Sequence, residues 1–219
     1  MRQVHTAGEK LFIDYAGATL ALTDGSRAQV FVAAMGASSY TFACATADQS
    51  MRSWLGAMAR ALSFYGGVPQ LIVPDHPRSL VSDACRYEPK LNETVRDFAR
   101  HYAVSILPAR PHSPKDKATA ESAVQVVTRW ILARLRHTVL ADVHAADAAI
   151  SALLASLNNR PFQKIDGSRA SLFAALEVAT GKVTADACYP RHTNVEFLAF
   201  LKLVAKAHPR VRLCVICDN

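Results

Sequence analysis

Short apolar runs alternate with turn residues along the first part of the chain. Such runs occupy residues 11–15, 29–34 and 40–45, and they are rich in Val, Phe and Ala. Turn residues at 23–25 (Thr-Asp-Gly) and 36–39 (Gly-Ala-Ser-Ser) separate them. Apolar runs of this length, joined by short polar turns, predict three antiparallel strands in a meander.

Beyond residue 48 the apolar spacing changes to that of amphipathic helices, interrupted by short buried strands. Gly66-Gly67 is expected to end the first helix, and Pro114 suits the first position of the third. This order of elements predicts an α/β arrangement, a mixed five-stranded sheet flanked by helices. The pattern predicts helices at about 50–65, 91–102, 114–137 and 143–157, and strands at 70–73 and 104–107.

Composition is that of a folded globular protein. The 219 residues are 51% hydrophobic and 20% charged, which excludes an intrinsically disordered chain and can bury a sizeable core. We find no apolar run of bilayer length and no N-terminal signal segment, so we expect no membrane partner and a cytoplasmic, nucleoid-associated bacterial protein. The five cysteines are odd in number and irregularly spaced, and a lone Cys214-x-x-Cys217 is weak evidence for zinc.

Positive charge is concentrated in one stretch of the chain. The net charge is +7, and residues 100–137 carry seven Lys or Arg side chains against only Asp116 and Glu121. A localised basic stretch is typical of proteins that bind a polyanion such as DNA. A solvated basic helix face explains the same pattern, and the charge alone does not separate the two. The candidate DNA-binding residues are Arg110, Lys115, Lys117, Arg129, Arg134 and Arg136.

Three carboxylates stand at positions where a metal site could form. Asp14 lies inside an apolar strand, Asp75 follows the end of a buried strand, and Glu121 lies in the second turn of a helix. A carboxylate inside an apolar strand costs free energy unless it is paired or binds a cation. Taken singly, each has a structural explanation as a turn, edge or solvated residue. Together they can converge at one end of the sheet, where oxygen ligands suit Mg²⁺.

Several separated segments resemble the IstA-type insertion-sequence transposases, a branch of the retroviral-integrase superfamily. They match in order over about residues 1–180, which makes the resemblance more specific than a lone motif. The segments are GEKLFIDYAG (8–17), VPD (73–75), CRYEP (85–89), LPARP (107–111), VQVVTRWILARLRH (124–137), LNNRPF (157–162) and GSRASLF (167–173).

The resemblance implies an RNase H-like catalytic core with a D-D-E triad, in which Asp14, Asp75 and Glu121 hold two Mg²⁺ or Mn²⁺ ions. It implies cleavage at transposon ends, joining of the freed 3′-hydroxyl to target DNA, multimeric assembly and an AAA+ ATPase partner. Members of the family usually have Asn directly after their second Asp, whereas His76-Pro77 follows here. His76 could hydrogen-bond or ligate metal, although a changed loop residue is the simpler interpretation.

The last residues resemble a different group. Residues 189–219 are similar to a fragment of the mariner-like insertion-sequence transposases, whose second Asp would correspond to Asp218. We therefore expect a catalytic core at 1–180 and an appended helix–strand tail at 181–219, with a fusion junction near 181–188. The alternative is an ordinary C-terminal helix and strand docked on the core. We also expect the family's N-terminal helix-turn-helix region to be absent.

These observations support three functional hypotheses. The first is a DDE transposase core for metal-dependent DNA strand cleavage and transfer, truncated and lacking DNA-end recognition. The second is a catalytically inactive remnant that only binds DNA or a partner. The third is a nuclease of the same fold; such enzymes usually have a fourth carboxylate, for which Asp24 and Asp83 are poor candidates.

Overall fold

The computed structural model describes residues 5–75, 81–83, 90–108, 114–163 and 165–174. The strands are β1 (Lys10–Tyr15), β2 (Leu20–Ala21), β3 (Arg27–Met35), β4 (Thr41–Thr46), β5 (Leu71–Pro74), β6 (Val81–Asp83), β7 (Lys90–Leu91) and β8 (Ser105–Ile106). The helices are α1 (Met51–Tyr65), α2 (Glu93–His101), α3 (Pro114–Val127), α4 (Ala133–Leu135), α5 (Val143–Asn158) and α6 (Arg169–Ala174). A π-helical segment, Thr128–Leu132, joins α3 to α4.

The main sheet is mixed and has six strands. β4, β3, β1, β5 and β8 lie side by side, and β2 pairs with the first residues of β3. β1, β3 and β4 are antiparallel, as expected for strands joined by short turns, whereas β5 and β8 continue the sheet parallel to β1 after helical crossovers. β6 and β7 form a separate antiparallel pair.

Helices cover both faces of this sheet. On one face Trp54 of α1 makes edge-to-face contacts with Tyr15 and Phe31, with ring centroids 4.8 and 5.6 Å apart. On the other face Ala120 of α3 packs against Phe12 of β1 and a neighbour on β5. Because both faces are covered, β3 is buried from its fourth residue to its end, as in a sheet inside an α/β layer structure.

Local sequence signals explain where the helices begin and end. The Ser50 side chain accepts a hydrogen bond from the Ser53 N–H and caps α1, and Gly66 ends that helix with a φ of 66°. Asn92 and Asp142 cap α2 and α5 in the same way. Among the helices of the described residues, none has the length and apolar character that crossing a membrane requires.

The predicted fold class is confirmed, and four details differ from the predicted elements. The sheet has six strands because the two-residue β2 adds to the five predicted, and the β6–β7 pair is additional. The helix expected over 114–137 contains the π-helical segment and ends at Leu135. Helix α6 forms within a segment for which no helix was predicted. The expected tail at 181–219, with Cys214, Cys217 and Asp218, lies outside the described residues.

Candidate active site

The two aspartates lie side by side at one end of the sheet. β1 and β5 are parallel, and their register pairs Ile13 with Pro74, so the next position sets Asp14 level with Asp75. The Asp75 N–H donates to the Ile13 carbonyl at 3.0 Å, which continues the ladder to this point. Neighbouring strands are separated by about 4.8 Å, so the two carboxylates start from adjacent backbone positions.

Both aspartates point to the same face of the sheet. Side chains alternate along a strand, so Asp14 shares a face with Phe12, and Asp75 shares a face with Val73. Phe12 and Val73 belong to one small hydrophobic cluster, which places their face in common. Leu11 and Ile13 belong to the main core on the opposite side. The apolar strands therefore set the two aspartates next to each other on one face of the sheet.

The environment of the pair is semi-buried. Asp14 is half-buried, and its Oδ1 accepts the Tyr15 N–H at 2.8 Å, which fixes one oxygen against the backbone. Asp75 is also half-buried, and its Oδ1 has almost no contact with solvent. Two neighbouring carboxylates repel each other, and a bound cation would remove that repulsion. Mg²⁺ commonly takes one or two carboxylates and completes its shell with water and phosphate, so the pair fits this ion.

Glu121 lies on the helix that crosses this face. Ala120 packs on Phe12 and Val73, the residues that precede the two aspartates by two positions on each strand. Glu121 follows Ala120, about 100° further round the helix, and its side chain is exposed. Within the described residues no group of three His, Cys, Asp or Glu side chains could hold a metal ion. The structure thus pairs Asp14 with Asp75 and sets Glu121 apart on the overlying helix.

A contact that the sequence did not indicate anchors this helix. The ring of His5 packs edge-on against Phe12, with centroids 5.2 Å apart, and its Nε2 lies 3.3 Å from the Thr119 hydroxyl. Burial lowers the pKa of His5, the charge of Lys10 lowers it further, and Glu9 raises it. His5 thus joins β1 to the turn of α3 that precedes Glu121. No motif in the sequence marks His5, because its partner is 114 residues away.

The predicted DNA-binding residues fall into three groups. Arg129, Arg134 and Arg136 are exposed on or just after the π-helical segment. Lys115 and Lys117 lie in the first turns of α3, ahead of Glu121. Arg110 and His76 lie outside the described residues. Asp24, weighed above as a fourth carboxylate, instead binds Ser26 within the exposed turn before β3.

Comparisons with solved structures define the class of fold. One chain of a simian T-cell lymphotropic virus intasome, solved in complex with the PP2A regulatory subunit B56 gamma, is similar with a TM-score of 0.65. The match covers 89% of this chain and 63% of that one at 11% identity. The HTLV-2 integrase catalytic core domain in complex with magnesium matches with a TM-score of 0.57 and 12% identity, over 77% of this chain and 97% of that one. The fold is that of a retroviral-integrase catalytic core.

Sequence comparison is more specific. The chain is 53% identical over 182 residues to a putative transposase for insertion sequence IS1162 from Pseudomonas fluorescens, covering 81% of this chain and 32% of the relative. It is 50% identical over 182 residues to a putative transposase for IS408 from Burkholderia multivorans, covering 81% and 35%. Its homologues are therefore insertion-sequence transposases, and the chain spans about a third of their length. No protein-family model matches the chain.

Proposed function

We propose that this chain is the catalytic core of a DDE transposase that cleaves DNA strands and transfers them to a target. The observation that carries the proposal is the pairing of Asp14 with Asp75 at the end of parallel strands, under a helix that carries Glu121. This arrangement is built into strands that are buried on their other face, so the carboxylates keep their spacing as DNA approaches.

The residues have distinct roles in this proposal. Asp14 and Asp75 would hold Mg²⁺ or Mn²⁺ between them, and Glu121 would complete the ligand set, so that together the three carboxylates hold two ions. When bound, two such ions activate the attacking oxygen and stabilise the leaving oxygen of an in-line displacement. The chain's own contribution is to orient the carboxylates, and to hold the phosphate backbone through the basic residues named above.

Several parts of the proposal concern the longer relatives. A transposase must recognise its DNA ends, assemble on them and engage target DNA, and this chain matches about a third of each relative. We infer that end recognition, oligomeric assembly and the AAA+ ATPase partner depend on regions beyond this core. We also infer that the core ends near residue 180, with 181–219 as an appended unit, and that the protein acts on nucleoid DNA in the cytoplasm.

A specific observation favours one second candidate. In the described residues Glu121 does not join the aspartates in a three-ligand cluster. A remnant that binds DNA without catalysing strand transfer would have this property. It differs from the first proposal in one measurable respect, because its DNA affinity would not depend on divalent metal or on Asp75.

The test is metal binding followed by strand chemistry. Mn²⁺ binding to the purified chain would be measured by calorimetry, beside Asp14→Asn and Glu121→Gln, with and without a short DNA duplex. The control is Asp97→Asn, which removes the same charge from an exposed helical position. Saturable binding that both site variants weaken, and strand cleavage that both abolish, would support the catalytic proposal. Binding that neither variant changes, or metal-independent DNA binding alone, would favour the remnant.

A further inference from the structure

Trp130 lies at the centre of a cluster of arginines that come from different parts of the chain. The guanidinium carbon of Arg160 stands 3.6 Å from the centre of the Trp130 ring, and that of Arg134 stands 5.9 Å from it. Arg160 follows α5, whereas Trp130 and Arg134 belong to the π-helical segment and α4. A π-helical turn is a rare feature that occurs often at functional sites.

A fourth element adds a further arginine to the same region. Arg169 is the first residue of α6, and its guanidinium carbon lies 5.2 Å from the centre of the Phe162 ring. Phe162 follows Arg160 by two residues in the chain. Burial lowers the pKa of Arg169, and the positive charge of Arg160 lowers it further, so the two guanidinium groups lie within electrostatic range. The ion pairs found among the described residues involve none of Arg134, Arg160 and Arg169. The positive charge of the cluster is therefore not neutralised by an ion pair within the described residues.

The arrangement of arginines around Trp130 is suited to phosphate. An arginine held against an indole ring loses little freedom when it binds, and the N–H groups that the ring does not cover remain available in the fork geometry that matches a phosphate. Arg160 and Arg134 are exposed, whereas Trp130 is half-buried and fixed by the helix. We propose that Trp130, Arg134, Arg160 and Arg169 form a binding surface for the phosphate backbone of duplex DNA, separate from the carboxylate pair.

The charge of the cluster favours DNA over an acidic peptide. Arg134, Arg160 and Arg169 come from three segments of the chain, and none of them forms an ion pair among the described residues. A duplex carries a phosphate at every step of both strands, so one molecule offers these guanidinium groups several phosphates at once. Trp130 follows Glu121 by nine residues, which is about half a turn round the helix, so the cluster faces a different side of the helix from Glu121. The proposed function makes DNA the polyanion that this chain meets. In this respect the inference rests on the proposed function, although binding itself needs no metal.

The experiment compares two double variants of the whole chain. Affinity for a duplex of about 20 base pairs would be measured in EDTA, across a series of salt concentrations, for Arg134→Ala/Arg160→Ala and for the control Arg52→Ala/Arg96→Ala. The control also removes two positive charges, but from exposed positions on α1 and α2. A third variant, Arg160→Lys, keeps the charge and loses the planar guanidinium group. Thermal unfolding and circular dichroism would establish that each variant is folded.

We expect Arg134→Ala/Arg160→Ala to bind the duplex at least about tenfold more weakly than the parent at moderate salt. The slope of log affinity against log salt concentration should be smaller in magnitude by about two. The control should change neither quantity appreciably, and Arg160→Lys should keep the slope with intermediate affinity. Equal losses in both double variants, no loss in either, or no DNA binding by the parent would overturn it. So would equal competition by poly-glutamate of matched charge. Absence of strand cleavage in a parent that binds through this cluster would refute the catalytic proposal alone.

Discussion

The side-chain amide of Asn158 forms hydrogen bonds with both backbone polar groups of Thr41. The Thr41 N–H donates to Asn158 Oδ1 at 3.0 Å, and Asn158 Nδ2 donates to the Thr41 carbonyl at 2.7 Å. β4 is an outer strand whose strand partner in the described sheet is β3. Helix α5 thus supplies the bonds that a further strand would make, and Asp147 does the same for the Ala45 N–H. An edge satisfied in this way is protected from pairing with another chain.

Replacing Asn158 with Ala should therefore destabilise the fold. Asn158 and Thr41 are both buried, so the substitution leaves the N–H and the carbonyl of Thr41 without partners. Each buried polar group that loses its partner costs about 1–3 kcal/mol. We expect the free energy of unfolding in urea to fall by about 2 kcal/mol. The matched control is Asn159→Ala at the exposed neighbouring position. Equal effects of the two substitutions would show that the Thr41 bonds are not the cause.

The lowered pKa of His5 predicts a pH-dependent stability. The folded state binds a proton on His5 less readily than the unfolded chain, whose histidine pKa is near the ordinary value of 6.5. The contribution of neutral His5 to stability is therefore present above pH 6.5 and is lost as pH falls towards the lower folded-state pKa. We expect the free energy of unfolding to decline between pH 7 and 5, and less steeply in His5→Gln. Parallel pH profiles for the two proteins would contradict this assignment.

Metal should stabilise the parent chain more than a variant without the aspartate pair. A ligand that binds only the folded state raises its stability by an amount that grows with ligand concentration. We expect millimolar Mg²⁺ or Mn²⁺ to raise the Tm of the parent and to leave that of Asp75→Asn nearly unchanged. Asp97→Asn should respond as the parent does, because that carboxylate pairs with Arg100 on exposed α2. An equal rise in all three proteins would indicate nonspecific ion effects.

Phe173 should hold α6 against Tyr40, just before β4, and against Tyr65 at the end of α1. Its ring stacks on Tyr40 with centroids 4.5 Å apart and an angle of 12°, and it also contacts Tyr65 at 5.8 Å. Aromatic pairs of this kind contribute about 0.5–1.5 kcal/mol beyond their burial. We expect Phe173→Ala to accelerate proteolytic cleavage near residues 160–174 while the sheet stays folded. Phe162→Ala provides a comparison on the same segment. Unchanged cleavage rates in Phe173→Ala would contradict the docking role.

The hydrophobic pattern and the turn residues of the sequence were enough to predict β1, β3 and β4, the capped helix α1 and the fold class. These features depend on interactions between residues close in the chain, such as Ser50 with Ser53, which a sequence displays directly. The same reasoning identified Asp14 as a costly carboxylate in an apolar strand. The two-residue β2 and the β6–β7 pair were not predicted, because runs this short carry no periodicity.

Only the tertiary structure decided which of these residues meet. The register of β1 against β5 sets Asp14 beside Asp75, and a shift of one residue would send one of them to the opposite face. The contact of Arg160 with Trp130 depends on how the end of α5 packs against the π-helical segment, which no local signal encodes. The sequence determined the candidate residues because their chemistry is local. Strand register and helix packing determined the site, because both depend on contacts between distant segments.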